Sequence, residues 1–306
     1  MGFIVLMQAI LSGLAAGSIY ALVALSFSIT FTTSRTLNFS QGELVSAGAF
    51  LYVGSLFYLA SKGQAMFPDI SPRGWTELLA LVIALAVMGV VGAVLYFAGI
   101  RPFVGSAGLS WVISTIGFGI VLQSIGLAVL GAGVVKVPSP VGDALIGLWG
   151  VSVRPQELLM IAVAFTVMVG MHWLTRHTMV GKVMRAVAFN GKTSSLMGIN
   201  VSRVTIGAFA ASSMLAALSG ILIAPIATAS IFLGLGFGLK GFSASIVGGL
   251  TNPRGCVIAG LALGILESVV NLWQAQWKDV VIFGLVILVL AVKPGGLFGT
   301  DATEKA

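Results

Sequence analysis

The sequence predicts an all-α, polytopic helical membrane protein with about eight to nine membrane segments, short broken or re-entrant ones among them. Three observations carry this. Hydrophobic types make up 58% of the 306 residues and charged types only 8%, whereas soluble domains are about a quarter charged. The mean hydropathy is +1.09. The apolar residues fall in runs near the ~20 that a bilayer core demands of a helix. So little charge excludes a water-soluble globule, a disordered chain and a collagen, and the runs are too continuous for the alternating strands of a β-barrel.

Charges and Gly/Pro clusters divide the chain into apolar segments in this order: Phe3–Phe31, Leu44–Ala60, Leu78–Ile100, Leu109–Val135, Leu158–Leu174, Val204–Ala227, Phe237–Leu250, Cys256–Trp273 and Val280–Val292. The first, at 29 residues, is roughly 43 Å long as a helix, so tilt or a kink is expected in a ~30 Å core. Leu44–Ala60 and Phe237–Leu250 are short and glycine-interrupted, as broken or re-entrant spans are. One of them being re-entrant gives eight crossings; both crossing gives nine. Trp75, Trp111, Trp149, Trp173, Trp273 and Trp277 fall mostly near segment ends, where interfacial anchoring explains them. Gly13 and Gly17, and Gly260 and Gly264, are four apart, the spacing of close helix contacts.

Lys and Arg set the orientation. The stretch from Arg176 to Arg203 carries Arg176, Lys182, Arg185, Lys192 and Arg203 with no acid, which places it in the cytoplasm. Counting nine crossings outward leaves the N-terminus outside and the C-terminus inside. Inside then lie those five with Arg35, Arg101, Arg254, Lys293 and Lys305, against Glu43, Asp301 and Glu304. Outside lie Lys62, Arg73, Lys136, Arg154, Lys240 and Lys278, against Asp69, Glu77, Asp143, Glu157 and Asp279, giving +7 inside and +1 outside. The basic excess is therefore an orientation signal and a cytoplasmic docking surface that can also meet membrane lipid. No soluble basic domain exists to bind nucleic acid. The first charge is Arg35, so no basic n-region of a cleaved signal peptide is present, and residues 1–306 are read as one mature membrane domain.

The chemistry is bounded too. The single cysteine, Cys256, excludes an internal disulfide and a cysteine metal cage. His172 and His177 are five apart and do not share a helix face in the i, i+4 manner, so three ligands for a catalytic zinc are hard to assemble. No His/Asp, Ser/Lys or paired-carboxylate set sits in the spans, which counts against an intramembrane enzyme. Glu267 is the one acid inside an apolar segment. Such acids are costly and by default functional; the alternative is a position near a helix end, capped by Ser268, Asn271 or water. Arg35 and Glu43 flank the turn after the first span and are placed to form an ion pair. Segments one to four and six to nine share a rhythm, and Leu37–Glu43 and Gly238–Ser243 look alike, so an inverted repeat is expected.

Residues 186–193 end in Gly191-Lys192-Thr193, as a phosphate-binding loop does, but Ala186 stands where the leading glycine belongs and no strand precedes it. The same stretch, Ala186 to Val201, resembles the cytoplasmic coupling segment of ABC-importer permeases, with its late Leu-x-Gly-Ile-Asn-Val at Leu196 to Val201. Leu37-Asn38-Phe39-Ser40-Gln41-Gly42-Glu43-Leu44 is similar to that family's Leu-Asn-Phe-Ala-His-Gly-Glu-Leu. Residues 114–123, Gly248-Gly249-Leu250, Asn252-Pro253-Arg254-Gly255, Gly260 to Glu267 and Lys293 to Gly299 extend the likeness from about Ser12 to Gly299. The chain thus resembles the LivH-type permeases of branched-chain amino-acid ABC importers. It departs from them in Ser40-Gln41 for Ala-His, Phe189 for Gln or Glu, and Ser194 for Ala. Relatives of this subfamily carry other amino acids, urea or short amides.

The resemblance implies a bacterial inner-membrane permease that is not itself an enzyme. It implies a second, LivM-like permease subunit, two ATP-binding subunits that use ATP and Mg, and an external substrate-binding protein; this chain would bind no cofactor. Within a coupling segment of about 176–203, Ala188, Asn190, Ser194, Ser195, Gly198, Ile199 and Asn200 would couple to the ATPase. Asn38, Glu43 and Glu267 are candidates for the translocation path or a gate. The competing class is an ion-coupled secondary transporter, which needs polar or acidic groups at mid-membrane; Glu267 is its one candidate.

Overall fold

The structure is a computed structural model that describes residues 2–61, 74–103, 109–131, 133–142, 144–148 and 151–299. Lys62, Asp69, Arg73, Asp143, Trp149, Asp301, Glu304 and Lys305 lie outside them. Among the described residues, eight helices are long and apolar enough to cross a bilayer. They are α1 (Phe3–Ser34), α2 (Gln41–Ser61), α3 (Gly74–Leu95), which runs on to Phe103, α4 (Ser110–Leu130), α5 (Pro155–His177), α8 (Val201–Ala227), α10 (Pro253–Trp273) and α11 (Lys278–Val292), whose span begins in the preceding turn at Ala275. Two short helices, α6 (Met179–Phe189) and α7 (Gly191–Leu196), follow α5, and a shorter apolar helix, α9 (Leu233–Gly248), follows α8. A small antiparallel hairpin, β1 (Ile146–Leu148) and β2 (Val151–Val153), pairs Ile146 with Val153 and precedes α5.

The spans are apolar on every side, as helices that meet both neighbours and lipid must be. Their ends are set locally. Pro155 and Pro253 open α5 and α10, and the Asn200 and Asn252 side chains accept from the third residue on, as capping residues do. Gly131 (φ 74) stops α4, well short of the Val135 end expected from hydropathy. Val135 instead bridges to Ala229. Leu78–Ile100 is realised as α3 with a π-helical turn, Tyr96–Ile100.

One expectation is corrected at α2. Its glycines do not break it: the helix is continuous over 21 residues. Gly48 is there for packing, since a Cβ on it would sit 2.3 Å from the Ala217 Cα of α8. The paired glycines of α1 and α10 do meet each other: a Cβ on Gly264 would lie 2.2 Å from the Gly17 Cα, and one on Gly13 would lie 2.8 Å from the Ile265 Cα. Small residues thus let α1 run down the centre of the bundle, buried from Gly17 to Thr30.

The repeat is visible in the packing. Exchanging α1 with α8, α2 with α9, α3 with α10 and α4 with α11 maps the contacts onto one another: α1–α10 onto α8–α3, α1–α9 onto α8–α2, and α2–α3 onto α9–α10. The pairs α1–α8 and α2–α9 map onto themselves, and α5 touches both α1 and α8. The only two non-glycine residues with positive φ among those described, Arg35 (φ 56) and Thr228 (φ 62), end α1 and α8. The register read from sequence is corrected accordingly. Gly238–Ser243 lies inside α9, and the counterpart of the turn before α2 is the turn from Thr228 into Leu233. Hydropathy cannot place that turn, because a backbone kink leaves no periodic signal.

Candidate translocation and coupling site

The turn between α1 and α2 folds back into the bundle rather than staying at its end. Asn38, Ser40 and Gln41 are fully buried. The Asn38 carboxamide oxygen accepts from the Ser40 amide at 3.1 Å and the Ser40 hydroxyl at 2.6 Å, and its NH2 donates to Gln41 Oε1 at 2.8 Å. Gln41 Nε2 donates in turn to the Ser26 hydroxyl of α1 (2.5 Å) and the Ser212 hydroxyl of α8 (3.1 Å). Every member is satisfied, so the network fixes α1, α2 and α8 together and holds the start of α2 inside the apolar bundle. Asn38 closes an Asx turn just before α2. Gln41 was not among the candidates, although a carboxamide at the head of an apolar segment was its visible sign.

Glu43, on the first turn of α2, does not pair with Arg35, which corrects the expected ion pair. Arg35 donates to the Ala188 carbonyl at 3.3 Å and lies over the Phe31 ring. Glu43 instead lines a cavity of about 470 Å³ between α2, α3 and α4, as its only ionisable side chain among the described residues, with Ser46 and Ser55 of α2 and Gln123 of α4 also lining it.

Glu267 is held differently. Its carboxylate accepts from Tyr20 Oη and from Lys240 Nζ, each at 2.5 Å, and Lys240 also reaches Asp279 at 3.2 Å. Lys240 and Glu267 side chains are 14% and 13% exposed. This corrects one expectation: Glu267 is neutralised by Lys240, which sits within α9, rather than capped by Ser268 or Asn271. Of the three path candidates, the structure brings none together. Asn38 is locked in a network, Glu43 faces a cavity, and Glu267 is ion-paired across α1, α9 and α10.

The coupling candidates are brought together. Thr178 caps α6, and Gly181 packs so closely on the Thr175 backbone that a Cβ would overlap it; Arg185 closes the same turn onto the Thr175 carbonyl. Asn190 ends α6 and caps α7, accepting from the Thr193 amide at 3.1 Å. Gly198 has φ 83. Its amide donates to Ser195 O and that of Ile199 to Ser194 O, each at 3.1 Å, the Schellman pattern in which glycine avoids a Cβ clash. Asn200 then caps α8. Helix α6 occupies the residues where a phosphate loop would need a strand and an open loop. Ser194 is buried, so its small size fits α7 onto this chain rather than clearing room for a partner. The outward surface is Phe189, Leu196 and Met197, 94%, 87% and 80% exposed, with Lys182, Lys192 and Arg203 around them, also exposed. Those three apolar residues were missed because neighbouring spans are apolar as well.

A pseudo-symmetric bundle of apolar helices with a capped, basic extension between its halves is the scaffold of a multi-pass membrane permease. The sequence profile of the family described as branched-chain amino acid transport system, permease component, matches residues 9–290. The chain belongs to this family, and it is a multi-pass protein of the bacterial inner membrane. It is 30% identical to the high-affinity branched-chain amino acid transport system permease protein BraD of Pseudomonas aeruginosa, over 98% of this chain and 97% of that one. It is also 30% identical to LivH of Escherichia coli strain K12, over 99% and 98%. The ribose import permease protein RbsC of the same strain is 26% identical over 81% and 77%. No solved structure matches.

Proposed function

We propose that the chain is the membrane-spanning permease subunit of an ATP-driven importer, moving branched-chain or related amino acids into the cell. The pathway would be shared with a second, LivM-like permease. Two ATP-binding subunits, with their ATP and Mg, and an external substrate-binding protein would complete the assembly, and this chain would bind no cofactor. Residues 1–306 would act as one permease domain, with residues 176–203 as its coupling element.

The observation that carries this reading is the α6–α7 extension. Phe189, Leu196 and Met197 stand almost fully exposed on a capped element outside the eight spanning helices and amid basic residues, and an exposed apolar patch with a polar rim marks a protein interaction site. The amino-acid substrate follows from the names of the full-length relatives. In this reading Glu43 meets the ammonium end of a passing amino acid, and Glu267 braces the helices beside the path. An ion-coupled transporter would need a free acid at Glu267, which Lys240 already occupies. The test is co-purification with the partner ATPases, followed by ATPase activity with and without the binding protein. The expected outcome is a stable complex whose ATPase rises with liganded binding protein. Uptake of the substrate by this chain alone, driven by an ion gradient, would refute it.

A further inference from the structure

We infer that the groove between α1, α5 and α10 is a binding site for an anionic phospholipid. Two cavities adjoin there. One, about 200 Å³, lies among the last turn of α5, the start of α6 and the Asn252–Arg254 turn, with His172, Arg176, Arg185 and Arg254 on its wall. The other, about 340 Å³, runs from it along α1, α5 and α10, between Phe165, Val169, Val257 and Ile258. They share His172, Thr175 and Arg254. Among the described residues, neither wall carries a carboxylate.

Arg254 approaches His172 to 2.8 Å, and with a donor-only guanidinium the imidazole must accept. Three arginines surround one cavity, and among the described residues no acid pairs with them. The Thr32 hydroxyl, on the same wall, is shielded from solvent and has no hydrogen-bond partner among the described residues. An anion with several acceptor oxygens answers both needs. The attached groove selects which anion: it is apolar, and Phe165, Val169 and Ile258 are more than half exposed at its rim, so it opens sideways onto acyl chains. A phosphodiester headgroup would sit among the arginines and one acyl chain along α5 and α10, as basic pockets between transmembrane helices accommodate acidic lipids.

The full chain, purified in mild detergent, would be titrated with phosphatidylglycerol or phosphatidylcholine and its bound lipid counted by native mass spectrometry. Phosphatidylglycerol should be retained roughly tenfold better. The double variant Arg176→Gln/Arg254→Gln should bring it down to the phosphatidylcholine level, while Arg254→Lys keeps most of the preference. Ile258→Trp fills the groove without touching the charge and should lower retention of both lipids, with thermal unfolding unchanged as the folding control. Equal retention by the parent and the double variant would overturn the site. So would displacement of the lipid by inorganic phosphate alone, which would mark a free-anion site. A photo-crosslinker at position 258 that captures the second permease instead of lipid in the assembled complex would also overturn it.

Discussion

Glu267 shows how one carboxylate is tolerated in a bundle this apolar. An isolated ionised acid would be too costly there, so α9 supplies Lys240, α1 supplies Tyr20, and Asp279 takes the lysine's remaining charge at the exposed end. The arrangement predicts an asymmetry between single and double substitution. Glu267→Gln keeps the size but leaves Lys240 with only the solvent-facing Asp279, and should cost ~2 kcal/mol or more, read as a lower unfolding temperature in detergent. Lys240→Met combined with Glu267→Gln removes both charges and should recover most of that loss. If Glu267 also bears on the path, the double variant will be stable but altered in transport. Equal unfolding temperatures for the parent and Glu267→Gln would show that the pair contributes nothing to the fold. The acid was legible in the sequence as an oddity inside a span. Its partner was not, because a lysine in a short glycine-rich segment reads equally well as a loop charge, and only the tertiary contact decides.

At the scale of elements, hydropathy placed every span to within several residues, because length and apolarity are what the bilayer selects. It missed what depends on backbone conformation: the continuity of α2, the π-helical turn after α3 and the buried turn before Gln41. The glycine pairs of α1 and α10 were legible as a contact face because their four-residue spacing is itself the packing signal, but not as contacting each other. Gly264→Val should separate these helices, since even a single Cβ overlaps Gly17, and the variant should express poorly or unfold at lower temperature. Gly117→Ala on α4, where nothing lies within 4 Å, should leave stability unchanged or slightly raised. If both variants behave alike, the α1–α10 contact is not made through these glycines.

Over the whole molecule, the basic face and the exposed α6–α7 extension belong to the same end, and this gives two linked tests. Orientation comes first. Cys256 is buried, so it stays silent, and single cysteines at Ser71, Ser195 and Thr300 report the sides. An impermeant thiol reagent on intact cells should label Ser71 only; labelling at Ser195 would reverse the orientation, and at Thr300 would change the number of crossings. Coupling then depends on that end being cytoplasmic. Leu196→Asp and Phe189→Asp change exposed side chains outside the eight spanning helices and leave every cap as it is, so the chain should still insert and keep its stability. Each replaces an apolar contact with a carboxylate that an apolar cleft on an ATPase cannot desolvate, so the complex should weaken and ATPase stimulation by the binding protein should fall about tenfold or more. Gly198→Val should act on the same surface indirectly: φ 83 is strained for a β-branched residue, by roughly 1–3 kcal/mol, and the Schellman turn that aims Leu196 and Met197 would relax. Ser194→Trp should destabilise α7 on its own chain, because that residue is buried. Lys192→Ala separates docking from nucleotide chemistry. An exposed lysine on a coupling surface should be replaceable with little loss, whereas a phosphate-binding lysine is indispensable. If Lys192→Ala abolished ATP binding by the isolated chain while Leu196→Asp left the assembled complex fully active, the α6–α7 extension would be a nucleotide site and not a coupling element.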